Sequence, residues 1–160
     1  MKTAVRILLT LALPGLLGCA GTRPPSTPET RPRPPAKGMA ALDLLRQREP
    51  DTEWASASLI AADLDQDGTE DYAMTGSRGD KVFVGIVHGP VTESCRHWTL
   101  EFPSDGTQDA LCSRDATIQI EKIEEEGSPA RPGINLHDGK CDAFHIFWDP
   151  EQKTYDWWRL

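Results

Sequence analysis

Residues 63–71 read DLDQDGTED, five acidic side chains in nine residues, and run straight into the apolar Tyr72-Ala73-Met74. Asp63, Asp65 and Asp67 fall on alternate positions, and Gly68 follows the third of them. Like charges crowded this closely repel one another unless a cation sits among them. The flanks decide what carries the stretch. SASLIAAD (56–63) and DYAMTGS (71–77) both read as strands, so the acidic run is a loop inside a sheet, not a link between helices.

The same pattern continues outward on both sides. In KVFVGIVHG (81–89), Val82, Val84 and Ile86 alternate with Phe83, Gly85 and Val87. HWTLEF (97–102) sets Trp98, Leu100 and Phe102 on one face, and ATIQIEKI (116–123) sends Ile118 and Ile120 inward against Gln119 and Glu121. DAFHIFWD, the turn PEQK and TYDWWRL predict a hairpin in which Tyr155 and Trp157 meet Phe144, Ile146 and Trp148, while Trp157 and Trp158 face opposite sides. EKIEEEGSPARPG (121–133) reads as a solvated loop. Before the first strand, Met39, Leu42 and Leu45 lie at helical spacing and Pro50 ends the run, which predicts a short amphipathic helix over 39–48. The expected fold is mainly β with a short N-terminal helix: one small antiparallel sheet or sandwich domain, shaped like a propeller blade around the acidic loop.

Counting Asp63 as position 1 puts Asp65 and Asp67 at 3 and 5, the Thr69 carbonyl at 7 and Asp71 at 9. Alternate side chains of a tightly turning loop converge on one point, and Gly68 permits the bend. Carboxylate and carbonyl oxygens without His or Cys select Ca²⁺ over zinc or copper. An EF-hand would need Glu at position 12, where Met74 stands, and helices where these flanks read as strands. The stretch resembles instead the calcium loop of FG-GAP or VCBS repeats, as in integrin-type β-propellers, whose Asp-x-Asp-x-Asp-Gly-x-x-Asp pattern lies between two strands. That resemblance implies Asp63, Asp65, Asp67, Asp71 and the Thr69 carbonyl as calcium ligands and leaves Glu70 in solvent. A single such loop occurs, so a complete propeller is not expected.

The N-terminus gives the setting. MKTAVR is a short cationic start, and ILLTLALPGLLG is an apolar run shorter than the ~20 residues a membrane span needs. Leu16-Leu17-Gly18-Cys19 resembles a bacterial lipobox, which implies a lipoprotein signal peptide over 1–18 and lipidation of Cys19. Ala20 in the following position implies, by the same resemblance, the outer membrane of a Gram-negative envelope. Residues 19–37 read as the lipidated cysteine and a tether: six of the eighteen residues 20–37 are proline, which favours extended polyproline II. Residues 38–160 are long enough for one domain with one core. They hold 11 basic and 24 acidic residues, a charge near −13, which argues against nucleic acid and suits cations or a cationic partner.

An oxidising envelope lets cysteines pair. Cys112–Cys141 closes a loop of about thirty residues, worth roughly 3–4 kcal/mol in the loop-entropy model, with Cys95–Cys112 as the alternative. No CxxC, HExxH, GxSxG or phosphate-binding glycine motif is present. His137-Asp138 and Cys95-Arg96-His97 are the sequence pairs that could be catalytic, yet His88, His97 and His137 lie near turns and His145 occupies an alternating strand slot. The expectation is a lipid-anchored, non-enzymatic binding or scaffolding module with a structural Ca²⁺ and a protein partner. The alternatives are a small envelope hydrolase using exposed carboxylates or His137, and an acidic inhibitor of a cationic envelope enzyme.

Overall fold

Strands β3 (Asp71–Arg78) and β4 (Lys81–Val87) are buried on both faces, and the reason is a layer on each side. The computed structural model describes residues 36–124 and 129–159, all within one compact unit; the expected signal peptide over 1–18, Cys19 and the expected tether up to residue 35 lie outside them. Sheet A is built on β3 and β4, with β5 (His97–Pro103) beside β4 and the short β1 (Glu53–Trp54) and β2 (Ile60–Ala62) both pairing with β3. The run β2-β3-β4-β5 is an antiparallel meander, the connectivity of a propeller blade. Sheet B holds β6 (Thr117–Ile123), β7 (Arg131–His137), β8 (Phe144–Asp149) and β9 (Thr154–Arg159) in chain order. The result is a mainly β fold of two antiparallel sheets with one short helix ahead of them.

Two apolar clusters hold the three layers. Val82, Val84 and Ile86 of β4, with Ala73 and Phe102, pack across onto Ile118, Ile134, Leu136, Phe144, Ile146 and Tyr155 of sheet B. The opposite face of sheet A, with Tyr72, Met74, Phe83 and Val87, is covered by Ala41, Leu42, Leu44 and Leu45 of helix α1 (Ala36–Arg48). Burial on both faces explains why β3 and β4 read as near-continuous apolar runs. Trp54 lies flat against sheet A because two glycines leave room. A Cβ on Gly85 would come within 2.6 Å of the Trp54 ring, and one on Gly76 within 2.7 Å.

The helix begins at Ala36, inside the segment read as tether, and not at 39. Gly38 is buried there, in direct contact with the Leu59 side chain, so the first turn is part of the folded layer. Arg46 and Arg48 in the last turn complement the helix dipole.

The predicted strand over 56–63 is only partly formed. Ser56–Ser58 make a 3-10 turn and pairing starts at Ile60. Ser58 is the cause: its Oγ donates to the Ala55 carbonyl and accepts the Thr75 N–H at 2.8 Å each, replacing a strand rung with side-chain bonds. The loop reading of 121–133 is corrected more fully. Residues 121–123 belong to β6, and 131–133 open β7, a central strand paired with both β6 and β8. Pro132 and Gly133 hid it. Pro132 lies outside the β7–β8 ladder of residues 134–136, and at Gly133 a Cβ would meet the Ile123 side chain at 2.3 Å and the Ile146 carbonyl at 2.9 Å. Ile120, expected inward, pairs with the buried Ile134 but stays 40% exposed, because β6 is an edge strand that sheet A does not fully cover.

The terminal hairpin pairs as expected, Ile146 with Trp157 and Trp148 with Tyr155. Trp157 packs on Phe102 and Phe144, while Trp158 stacks on His145 on the other side of the strand.

Cys112 and Cys141 are joined, with Cα atoms 5.8 Å apart, and Cys95 is free. The Asp138 carboxylate accepts the N–H of Cys112 at 2.6 Å, of Lys140 at 2.9 Å and of Cys141 at 3.0 Å, so one side chain positions both cysteine backbones. Partial burial opposes its ionisation, but these N–H groups outweigh that and hold its pKa below the ordinary value. A depressed carboxylate pKa stabilises the fold above the unfolded pKa, and that stabilisation disappears as pH falls through the folded value. Asp138→Asn should therefore lower the midpoint of urea unfolding at pH 7, and the difference from wild type should vanish in acid; urea melts across pH 2–7 check it.

Candidate metal centre

The acidic loop connects β2 to β3 at one end of the sandwich, and its own backbone shapes it. Asp63 Oδ2 accepts the Gly68 N–H at 3.0 Å, Asp65 Oδ1 accepts that of Asp67 at 3.1 Å, and Asp67 Oδ1 accepts that of Thr69 at 2.7 Å. Gln66 and Gly68 adopt left-handed φ values of 62° and 88°. Each aspartate thus folds the chain back toward its neighbour. Asp63, Asp65 and Asp67 offer carboxylate oxygens that all lie within 4.8 Å of one another.

Asp71 is placed differently. It is fully buried, its Oδ2 accepts the Leu64 N–H at 2.9 Å, and its Oδ1 accepts the Gly89 N–H at 2.9 Å. A longer contact of 3.4 Å reaches the Asp65 N–H. Asp71 braces both ends of the site, with lone pairs remaining on its oxygens. Burial pushes its pKa up, against the lowering by the Gly89 N–H, His88 and the Leu64 N–H, with Asp65 adding to the rise. Thr69 supplies its N–H to the loop as described. Glu70 is exposed, with its Oε2 accepting the Tyr72 hydroxyl at 2.6 Å.

His88 is the residue the sequence reading passed over. Its Nδ1 lies 3.0 Å from Asp65 Oδ2 and its Nε2 lies 2.7 Å from the Tyr155 hydroxyl. A carboxylate only accepts, so Nδ1 carries a proton and donates to Asp65, while Nε2 shares a hydrogen bond with the Tyr155 hydroxyl. The ring sits among Trp98, Trp148 and Tyr155, with centroids 4.3, 5.1 and 5.6 Å away. Burial, then the negative charges of Asp71, Asp65, Asp63 and Asp67, hold the Tyr155 phenol protonated far above its ordinary range. The signal was in the alternation: His88 continues the inner-face row Val82, Val84, Ile86 by one more step of two.

Two donor groupings share Asp65: Asp63, Asp65 and Asp67, and Asp65, Asp71 and His88. In the second, both ring nitrogens of His88 and both oxygens of Asp71 already have partners, so it is a satisfied hydrogen-bond network. In the first, Asp63 Oδ1 is completely buried and accepts no hydrogen bond. A buried, unpaired carboxylate oxygen is costly, and a cation removes the cost. The all-oxygen donor set suits a hard ion such as Ca²⁺.

Concave surface gathers around this loop. A cleft of about 310 Å³ is lined by Asp65, Asp67, His88, Cys95 and Arg96 among others. A second, of about 290 Å³, borders Asp65, Gln66, Arg131 and Trp148, and a smaller one of about 190 Å³ borders Thr69, Glu70 and Tyr72. His137 lies elsewhere, at the end of β7, its Nε2 3.2 Å from Thr117 Oγ1. The adjoining Asp138 carboxylate is turned to backbone N–H groups.

No family model matches the chain, and neither a curated protein nor a solved structure matches it.

Proposed function

We propose that this chain is a lipid-anchored module of the bacterial cell envelope that binds or scaffolds a protein partner, with one structural Ca²⁺ in the acidic loop. The carrying observation is the loop itself: Asp63, Asp65 and Asp67 each offer a carboxylate oxygen within 4.8 Å of the others, and Asp63 Oδ1 is buried without a hydrogen-bond partner. Asp63, Asp65 and Asp67 are the principal ligands and the Thr69 carbonyl completes the set, while Asp71 braces the loop through the Leu64 and Gly89 N–H groups. Bound there, the ion supplies positive charge that offsets the clustered carboxylates and fastens the β2–β3 connection.

The clefts that border the loop support reading this end of the domain as the partner-facing one. The charge near −13 on residues 38–160 suits a cationic partner, of which a basic envelope enzyme is one kind. Support for the anchor comes from Cys19 behind its apolar run and from the proline-rich residues that follow. Among the described residues, no helix is long and apolar enough to cross a membrane. A hydrolase built on His137 is less well supported, since Asp138 is committed to the cysteine backbones.

Radiolabelled palmitate should label the wild type in a Gram-negative host and send it to the detergent phase. Cys19→Ser should carry no label and remain aqueous; equal labelling of the two would refute the anchor. Pull-downs from envelope extract with Ca²⁺ and with EDTA then test the partner: capture should weaken in EDTA.

A further inference from the structure

Asp65, His88 and Tyr155 come from three different parts of the fold. Asp65 lies in the β2–β3 loop, His88 just beyond β4 in sheet A, and Tyr155 in β9 of sheet B. The hydrogen bonds of 3.0 and 2.7 Å that join them therefore run from the acidic loop, through the interior, to the opposite sheet. His88 is 7% exposed and Tyr155 5%, so the bond between them lies in the interior, while the Asp65–His88 bond borders the cleft. Both His88 nitrogens are used, and the Asp65 carboxylate, which can only accept, fixes the proton on Nδ1.

We propose that His88 and Tyr155 are positioning residues for the loop ion, and that they carry loop occupancy into the packing between the two sheets. The inference rests on the calcium reading above and adds its control. Asp65 uses Oδ1 to hold the Asp67 N–H and Oδ2 to hold His88, so its carboxylate plane is set from both sides. A ligand fixed in this way needs no reordering when the ion arrives, and loss of such a supporting partner typically weakens metal binding by about 10–100-fold. Coupling in the other direction follows from the same bonds. The ion's charge at the Asp65 carboxylate acts through its hydrogen bond on His88, whose ring lies 4.3 Å from Trp98 and 5.1 Å from Trp148 between the sheets, so the tryptophans sense occupancy without movement of the ligand. Trp98 and Trp148 also pack edge-on to each other at 5.2 Å, and each on Tyr155, so the box responds as a unit.

The test uses the purified full chain and Ca²⁺ alone. Affinity is read by competition with a weak fluorescent calcium chelator, and the box is read by tryptophan emission. Wild type should bind Ca²⁺ with a shift in emission, and that shift should disappear in Trp98→Phe. His88→Gln and Tyr155→Phe should each weaken binding by about tenfold or more and lose the emission shift, with unchanged far-ultraviolet dichroism in EDTA. Tyr155→Phe removes one hydroxyl and keeps every ring, so it stays informative if a His88 variant folds poorly. In the double variant the losses should not add, because both act through one chain. Wild-type affinity in Tyr155→Phe and His88→Gln overturns this inference and leaves the calcium site standing. Absence of calcium binding in the wild type overturns both.

Discussion

Saturating Ca²⁺ should raise the thermal midpoint of this protein by about 10 °C over its value in EDTA. At roughly a hundredfold excess over the dissociation constant, a ligand that binds only the folded state stabilises it by about 2.7 kcal/mol. A domain of this size gains roughly 4 °C per kcal/mol. Extracellular calcium sites often have dissociation constants of about 10⁻⁴ to 10⁻³ M, so the scan needs calcium well into the millimolar range. Mg²⁺ should do much less, since it demands a tighter octahedral shell. Differential scanning calorimetry with Ca²⁺, Mg²⁺ and EDTA makes the comparison; superimposable melts would remove the ion.

Asp71→Ala should be the most damaging single substitution in the loop, at about 3–5 kcal/mol, and it should be so even in EDTA. The side chain is fully buried and satisfies the N–H groups of Leu64 and Gly89, at 2.9 Å each. Deleting it strands both donors, and unpaired buried donors cost about 1–3 kcal/mol each. Asp67→Ala is the contrast: Asp67 is exposed, so EDTA melts should barely change while the calcium increment is lost. Urea unfolding of the two variants with and without Ca²⁺ separates the brace from the ligand. Equal losses in EDTA would show that Asp71 has no bracing role.

Much of this was readable from patterning. The alternation in 81–87, the aromatic row 97–102 and the terminal hairpin each have one strong period and clear turns, and each forms as expected. The failures share a physical cause: a tertiary contact overrode a local signal. Pro132 and Gly133 look like a turn, but a close crossing of Ile123 and the Ile146 carbonyl favours glycine in a central strand. Ser56–Ser58 look like strand, but the Ser58 hydroxyl takes the rung that Thr75 would have given to backbone. At the site, the three alternating aspartates were visible because spacing alone brings them together. The Asp65–His88–Tyr155 chain was not, because its members are up to ninety residues apart and only the stacking of the two sheets makes them neighbours.

Equilibrium dialysis of the full chain against ⁴⁵Ca²⁺, beside an Asp63→Asn/Asp67→Asn variant, tests the metal centre most directly. The account predicts about one ion bound per wild-type chain at millimolar calcium and essentially none on the variant. No bound calcium on the wild type, or the same amount on both proteins, would contradict it.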